Sequence, residues 1–375
     1  MKKIIHFGKY YPPDFGGVES ITERLAIRFS SDDETSVNVV CFSKNNFLER
    51  KTQNGVQIFR APTSFVISSQ PLGWQYISLC LRLSKNVNLI HLHAPNILAA
   101  ITALLVPRNI PLLVHWHSDV VKKGALGYLV RPLEKCLLSR SNLILATSEP
   151  YANFSRTLRL FKTKVSVVPL GISDPTIENS PSLPHKLLNW INGRKIILGV
   201  GRLVPYKGFD VLIDACDQLL EDSAVVIVGD GHMKHLLSNK IRTMGLKDKV
   251  ILVGSVGDEI LHALFSNAYL FCLPSTERSE AFGVVLLEAL ANGLPIVATK
   301  IEGSGVAWVN LDGVTGINVP VKNAKALADA CNSILSSQEQ RAQYSFNARS
   351  RYLSEFTEDL FFRRMNKAYE KILLP

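Results

Sequence analysis

Short apolar runs recur along the whole chain with helical patterns between them, and this alternation restricts the fold more than any other feature. In the first half the runs fall at 3–8, 36–41, 56–60, 88–93, 111–115, 143–146 and 164–168. The alternation predicts a parallel sheet with helices on both faces. The rhythm breaks at Val168-Pro-Leu-Gly-Ile-Ser-Asp174 and through the Pro- and Ser-rich residues 175–192, which read as a surface segment. It restarts at 195–200 and continues at 225–228, 250–254, 269–273 and 296–299. At 375 residues the chain is long enough for two cores. The reading is α/β, with two Rossmann-like domains at 1–170 and 171–356 and a last helical stretch at 357–375.

In such sheets ligands collect at the carboxyl ends of the strands. The second half offers the richest of these ends. Glu280-Ala-Phe-Gly-Val-Val-Leu-Leu-Glu288 reads as a polar loop entering a short helix that starts near Phe282 or Gly283. Gly293 is its expected stop, with Pro295 just beyond. The helix is apolar nearly all round, so it should be buried, and a buried Glu288 needs a partner. If all the intervening residues were helical, the two carboxylates would lie roughly 12 Å apart along the axis, suited to two ends of one extended ligand. Between them the N–H groups of the helix start favour an anion, and Gly283 lets a ligand approach the backbone. Upstream, Gly201-Arg202-Leu-Val-Pro-Tyr-Lys207-Gly places two cations at another strand end and helix entrance. That is a phosphate clamp by electrostatics.

The first half opens with a strand, the turn Lys9-Tyr-Tyr-Pro-Pro-Asp-Phe-Gly16-Gly17 and an amphipathic helix from about residue 18. The turn lacks the G-x-G-x-x-G spacing, so it marks either a ligand loop or an ordinary βα turn. Further strand ends carry His91-Leu-His93 and His115-Trp-His117-Ser-Asp119. The members of each histidine pair are expected to point to opposite faces of a strand, which argues against a metal there. No D-x-D triplet occurs, so no metal ligands are assigned.

Charge separates the halves. Residues 1–170 hold 21 Lys and Arg against 10 Asp and Glu, and the remainder 21 against 22. The first half therefore suits an anionic partner. Residues 120–140 mix apolar positions with Lys122, Lys123, Arg131, Lys135 and Arg140, and Arg156, Arg159, Lys162 and Lys164 add the same sign nearby. The stretch reads either as a surface for anionic lipid or as a solvated helix face. No nucleic-acid recognition motif accompanies it. The scattered Cys41, Cys80, Cys136, Cys216, Cys272 and Cys331 suit a reducing compartment and no structural zinc site. Neither a signal peptide nor a run near the roughly 20 apolar residues of a membrane span is expected.

The spacing from Glu280 to Glu288 resembles the E-x7-E motif of the retaining family-4 glycosyltransferases, which have the GT-B fold. Gly16-Gly17, His117-Ser-Asp119 and Gly201-Arg202-Leu…Lys207-Gly are similar to further family motifs, in the same order. The resemblance covers essentially the whole chain. It implies two domains facing across a central cleft, with the last helix crossing back to the first. It implies that Glu280 contacts hydroxyls of the donor sugar and Glu288 the nucleotide ribose. Arg202 and Lys207 would hold the donor diphosphate, helped by the helix start at Phe282, Gly283 and Val284. The strand end at Val256 would hold the base, and Gly16 and Gly17 would lie near donor phosphate and acceptor. His117 would contact the sugar's 6-hydroxyl or support it through its carbonyl, with Asp119 as a lesser candidate. The catalytic set is then Glu280, His117, Arg202 and Lys207.

Arg278-Ser-Glu280-Ala-Phe-Gly and Gly305-Val-Ala-Trp-Val-Asn310 look like members that build bacterial lipopolysaccharide O-antigens. The expectation is transfer of mannose from GDP-mannose, without metal or cofactor, onto a polyprenyl-diphosphate-linked glycan. The expected location is the cytoplasmic face of the inner membrane. A UDP-sugar donor, other GT-B chemistry such as an epimerase or phosphorylase, and a non-catalytic GT-B subunit stand as alternatives.

Overall fold

The computed structural model describes residues 2–14, 16–43, 45, 47–67, 70–120, 124–175 and 182–373, with backbone alone over 124–129. The chain divides into two compact units. One takes Met1–Leu170 and Phe361–Pro375, the other Gly171–Leu360.

Ten strands belong to the first unit: β1 (Lys2–Phe7), β2 (Thr35–Ser43), β3 (Glu49–Gln53), β4 (Val56–Pro62), β5 (Phe65–Ile67), β6 (Gln70–Leu72), β7 (Leu89–Ala94), β8 (Leu112–Trp116), β9 (Leu143–Ala146) and β10 (Val165–Val167). Eight form one sheet in the order β10-β9-β8-β7-β1-β2-β4-β3. All its pairs are parallel except β3 with β4. Strands covered on both faces read as unbroken apolar runs, and every residue of β9 is buried. The antiparallel edge β3, Glu-Arg-Lys-Thr-Gln, carries no such run, and the separate β5–β6 hairpin has only the three exposed apolar residues Phe65-Val-Ile67; neither was anticipated. The long apolar run from Ile97 is a helix, Ile97–Leu105, capped by Asn96, whose side chain accepts from Ala99 N at 3.3 Å.

Register decides what meets across this sheet. The β1–β7 ladder sets His6 opposite His91, and the β7–β8 ladder sets His93 opposite His115. The last helix, Glu358–Leu373, gives its residues from Phe361 onward to this unit. Phe361 and Met365 are fully buried, and Tyr369 is 3% exposed.

The second unit holds β11 (Lys195–Val200), β12 (Ser223–Val228), β13 (Val250–Gly254), β14 (Leu270–Leu273), β15 (Ile296–Lys300) and β16 (Gly316–Pro320). They make a parallel sheet in the order β13-β12-β11-β14-β15-β16. The order reverses at β11, which has β12 on one side and β14 on the other. Open α/β sheets take ligands at the carboxyl ends flanking such a reversal. Here those ends lead into Gly201-Arg202 and Pro274-Ser275.

The short apolar helix runs Val284–Ala291, with Leu286, Leu287, Ala289, Leu290 and Ala291 buried. It begins later than expected because Gly283 adopts φ 78°, in the left-handed region, and serves as N-cap without a side-chain cap. Glu280, Ala281 and Phe282 are therefore loop, and an all-helical spacing between Glu280 and Glu288 does not hold. Gly293, at φ 64°, ends the helix.

Candidate functional site

Two chain segments of the second unit converge where β11 and β14 end. The turn after β11 is tied to the loop after β14 by Thr276 N donating to Tyr206 O at 2.7 Å. A second link joins side chains: Lys207 Nζ lies 2.6 Å from Glu280 Oε2, both side chains about one-tenth exposed. The same carboxylate oxygen accepts from Ser275 Oγ at 2.9 Å. Lys207 lies along Gly201, where a Cβ would stand 3.2 Å from its Cε and 3.3 Å from its Nζ. A side chain at 201 would crowd the ammonium, which would have to give way by a few tenths of an ångström.

Glu280 is held by its backbone as well. Its N–H donates to Glu277 O at 2.9 Å and its carbonyl accepts from Ser304 Oγ. Gly305 N donates to Ala281 O at 2.7 Å. The Glu302-Gly-Ser-Gly305 loop thus fixes the approach to the helix at Val284. A buried carboxylate and ammonium in contact, beside a helix start with no side-chain cap, can bind hydroxyls and an anion together.

Arg202 is exposed, and its Nη2 donates to Tyr206 Oη at 3.3 Å. The Tyr206 ring also lies 5.8 Å from Lys207 Nζ, so this tyrosine sits between the two cations. Glu288, on the helix, is half-buried. Val256 is half-buried in the loop after β13, just beyond Gly254. The Phe282 ring is buried in an aromatic group with Trp308 at 6.3 Å and Phe356 at 6.2 Å. Only its backbone is left to meet a ligand. Ser275 and Tyr206 were missed by sequence reasoning. Neither carries a spacing signal, and only the fold brings them to Glu280 and Lys207.

In the first unit His117 follows β8 directly and is 7% exposed. Its N–H donates to Ala94 O at 3.0 Å. Burial pushes its pKa down to about 3, so the ring is neutral at physiological pH. Asp119 turns inward, its Oδ1 accepting from Trp116 Nε1 and Ser155 Oγ, each at 2.8 Å. Those bonds give it a structural task. Gly16 caps the helix Gly17–Ser30, and a Cβ there would run into the Glu19 carboxylate.

The histidines overturn one expectation. His91 and His93, like His115 and His117, share a face rather than opposing each other, because residues two apart on a strand point the same way. His6, His91, His93, His115 and His117 form one stack of buried rings. Nδ1 of His6 lies 3.0 Å from Nε2 of His93, whose Nδ1 lies 3.0 Å from Nε2 of His117.

The basic stretch is partly committed to the fold. Arg140 donates to Pro107 O and Ile110 O, and Lys164 to Ser139 O and Ser141 O. Arg131 and Lys135 are exposed on the helix Gly124–Arg140. Lys122 and Lys123 lie outside the described residues, as do 176–181 of the Pro- and Ser-rich segment. Among the described residues, no helix is long and apolar enough to cross a membrane.

Residues 185–351 match the family described as glycosyl transferases group 1, and residues 15–174 match glycosyltransferase family 4. Over 360 residues the chain is 28% identical to the O-antigen chain mannosyltransferase C of Escherichia coli, covering 95% of each. It is 32% identical over 277 residues to an uncharacterized glycosyltransferase of Methanocaldococcus jannaschii, covering 70% of each. Among solved structures, Anabaena HepE in complex with UDP aligns with a TM-score of 0.79 at 20% identity, covering 99% of this chain and 100% of that one.

Proposed function

Because this chain belongs to the family-4 glycosyltransferases and has their GT-B fold, we propose that it moves a hexose from a nucleotide sugar to an acceptor hydroxyl with retention of configuration. The observation that carries this reading is the buried Lys207–Glu280 pair beside the start of helix Val284–Ala291. In the proposed reaction Glu280 binds donor-sugar hydroxyls and Glu288 the ribose. Arg202, Lys207 and the helix start meet the charge that grows on the leaving diphosphate. Val256 supports the base, Gly16 and Gly17 approach the phosphate and acceptor, and His117 meets the sugar's 6-hydroxyl. The bond from C1 to the diphosphate oxygen breaks, and the acceptor oxygen bonds to C1 from the same face. The acceptor proton passes to a donor phosphate oxygen. The donor step needs no divalent metal and no cofactor.

Our preferred donor is GDP-mannose, supported by the likeness to a mannosyltransferase of O-antigen chains. A UDP-sugar is the second reading, favoured by the likeness to UDP-bound HepE. The preferred acceptor is a lipid-linked cell-surface glycan, reached from the cytoplasmic face of the inner membrane. The excess of cations in residues 1–170 supports this, as do exposed apolar side chains on the β5–β6 hairpin and the helix after it. Trp74 is 78% exposed and Phe65 57%.

A thermal-shift panel of GDP, UDP, ADP and their sugar conjugates, with and without EDTA, tests the donor. Ligand at 100 times its dissociation constant adds about 2.7 kcal/mol. A shift with GDP and GDP-mannose alone, indifferent to EDTA, is expected. A UDP-specific shift replaces mannose and keeps the mechanism, and no shift with any nucleotide overturns the catalytic reading.

A further inference from the structure

The buried histidine stack holds more unused ligating capacity than a packed core needs. Nε2 of His6, Nε2 of His91 and both ring nitrogens of His115 are buried with no hydrogen-bond partner. Buried polar atoms in folded proteins are nearly always satisfied, and a group of orphans in one place calls for an explanation such as an ion. We propose that His6, His91 and His93 form a binding site for one divalent transition-metal ion of the zinc or cobalt type. The proposal concerns the first unit alone and does not rest on the glycosyl-transfer reading.

Geometry brings the three together. The parallel register sets His6 opposite His91, and the two-residue period of β7 turns His93 to the same side. One ligating nitrogen from each lies within 4.8 Å of the others. A tetrahedral ion with bonds of 2.0–2.1 Å needs ligand nitrogens about 3.4 Å apart. His91 and His93 lie stacked at 4.3 Å and 16°, so ligation requires the rings to rotate out of the stack until their nitrogens converge. His93 gives up a hydrogen bond to supply its nitrogen, whereas the Nε2 atoms of His6 and His91 give up none.

The surroundings have the character of a metal site's outer shell. Nδ1 of His91 lies 2.7 Å from the Tyr369 hydroxyl, brought in by the last helix. Metal-bound histidines regularly engage their second nitrogen in this way, which fixes the ring and leaves the first nitrogen aimed at the ion. His115 lies next in the stack, its ring centroid 5.5 Å from that of His91, and groups with His93 and His117 rather than with this set. Burial also keeps the rings neutral, which is the ligating form. The ligand set selects the ion. Imidazole nitrogen suits Zn²⁺, Co²⁺, Ni²⁺ or Cu²⁺, while Mg²⁺ and Ca²⁺ take oxygen.

The experiment uses the full chain, stripped with chelator and titrated with Co²⁺, with Mg²⁺ as control. Visible absorption bands of nitrogen-ligated Co²⁺, saturating near one ion per chain and displaced by Zn²⁺, are the expected result. His91→Phe should abolish the bands while circular dichroism stays unchanged. Tyr369→Phe leaves every ligand in place and should weaken Co²⁺ affinity about 10- to 100-fold. That variant carries the test if His91→Phe fails to fold. Absence of bands in the native chain overturns the proposal. So does an affinity untouched by Tyr369→Phe, or bands that persist in His91→Phe, which would assign the ion to the neighbouring group His93, His115 and His117 or to the histidines of the second unit.

Discussion

Lys207 Nζ and Glu280 Oε2 are 2.6 Å apart and almost sealed from solvent. Breaking a buried pair from one side leaves an uncompensated charge and costs about 3–5 kcal/mol. Lys207→Met and Glu280→Gln should each lower the midpoint of urea unfolding. The double variant should be less destabilised than the sum of the two. Both singles should also lose at least about 100-fold in kcat/KM for sugar transfer, the scale of losing one charge-stabilising contact at a reacting centre. Wild-type turnover in either would remove the pair from the site.

Arg202 separates binding from stability. Its guanidinium is exposed and makes one long bond to Tyr206. Arg202→Ala should change unfolding free energy by no more than about 0.5 kcal/mol. Its nucleoside-diphosphate affinity should fall about 10-fold or more, as befits a lost charge-assisted contact. Isothermal titration beside chemical denaturation reads both quantities. Equal nucleotide affinity in the variant would leave Arg202 as an ordinary surface cation.

Glu134 supplies a pH test away from the site. Burial pushes its carboxyl up to about 7, against the pull of Arg131. Its Oε1 has no hydrogen-bond partner. The folded chain keeps this proton between the ordinary value of 4.5 and about 7, where the unfolded chain has released it. The resulting stability is therefore present below pH 4.5 and lost as pH rises through 7. Glu134→Gln should raise stability by about 2 kcal/mol at pH 8 and by little at pH 4.5. Thermal melts at the two pH values check the difference.

Docking to lipid should depend on Trp74 and Phe65. Sedimentation with anionic liposomes is expected to pull down the native chain and to weaken at high salt. Trp74→Ser with Phe65→Ser should reduce it several-fold at unchanged thermal stability, since both side chains are exposed. Binding that is indifferent to both residues and to lipid charge would favour a soluble acceptor.

The β-rich skeleton was legible because a parallel strand buried on both faces writes itself as an apolar run. Thus 195–200 and 143–146 coincide with β11 and β9. The polar edge β3 was illegible for the same reason, since its side chains are mostly exposed and follow no apolar pattern. Within the site, Glu280 and Lys207 stood out by residue type and motif, but their contact did not. It depends on which strands become neighbours, and β11 pairs with β14 across two intervening strands of sequence. The packing of the Phe282 ring was illegible because nothing local announces that Trp308 and Phe356 await it. The histidine pairs were misassigned by an error of geometry rather than a lack of signal: spacing of two already places both rings on one face.

The last helix sets an order of events for the growing polypeptide. Phe361, Met365 and Tyr369 pack into the unit whose sheet is built from the first 170 residues, yet they are translated only after the whole of the second unit. At about 5–20 residues per second the sheet emerges from the ribosome roughly 10–40 s before the side chains that cover it. The domain that is first to be made is the last to be finished.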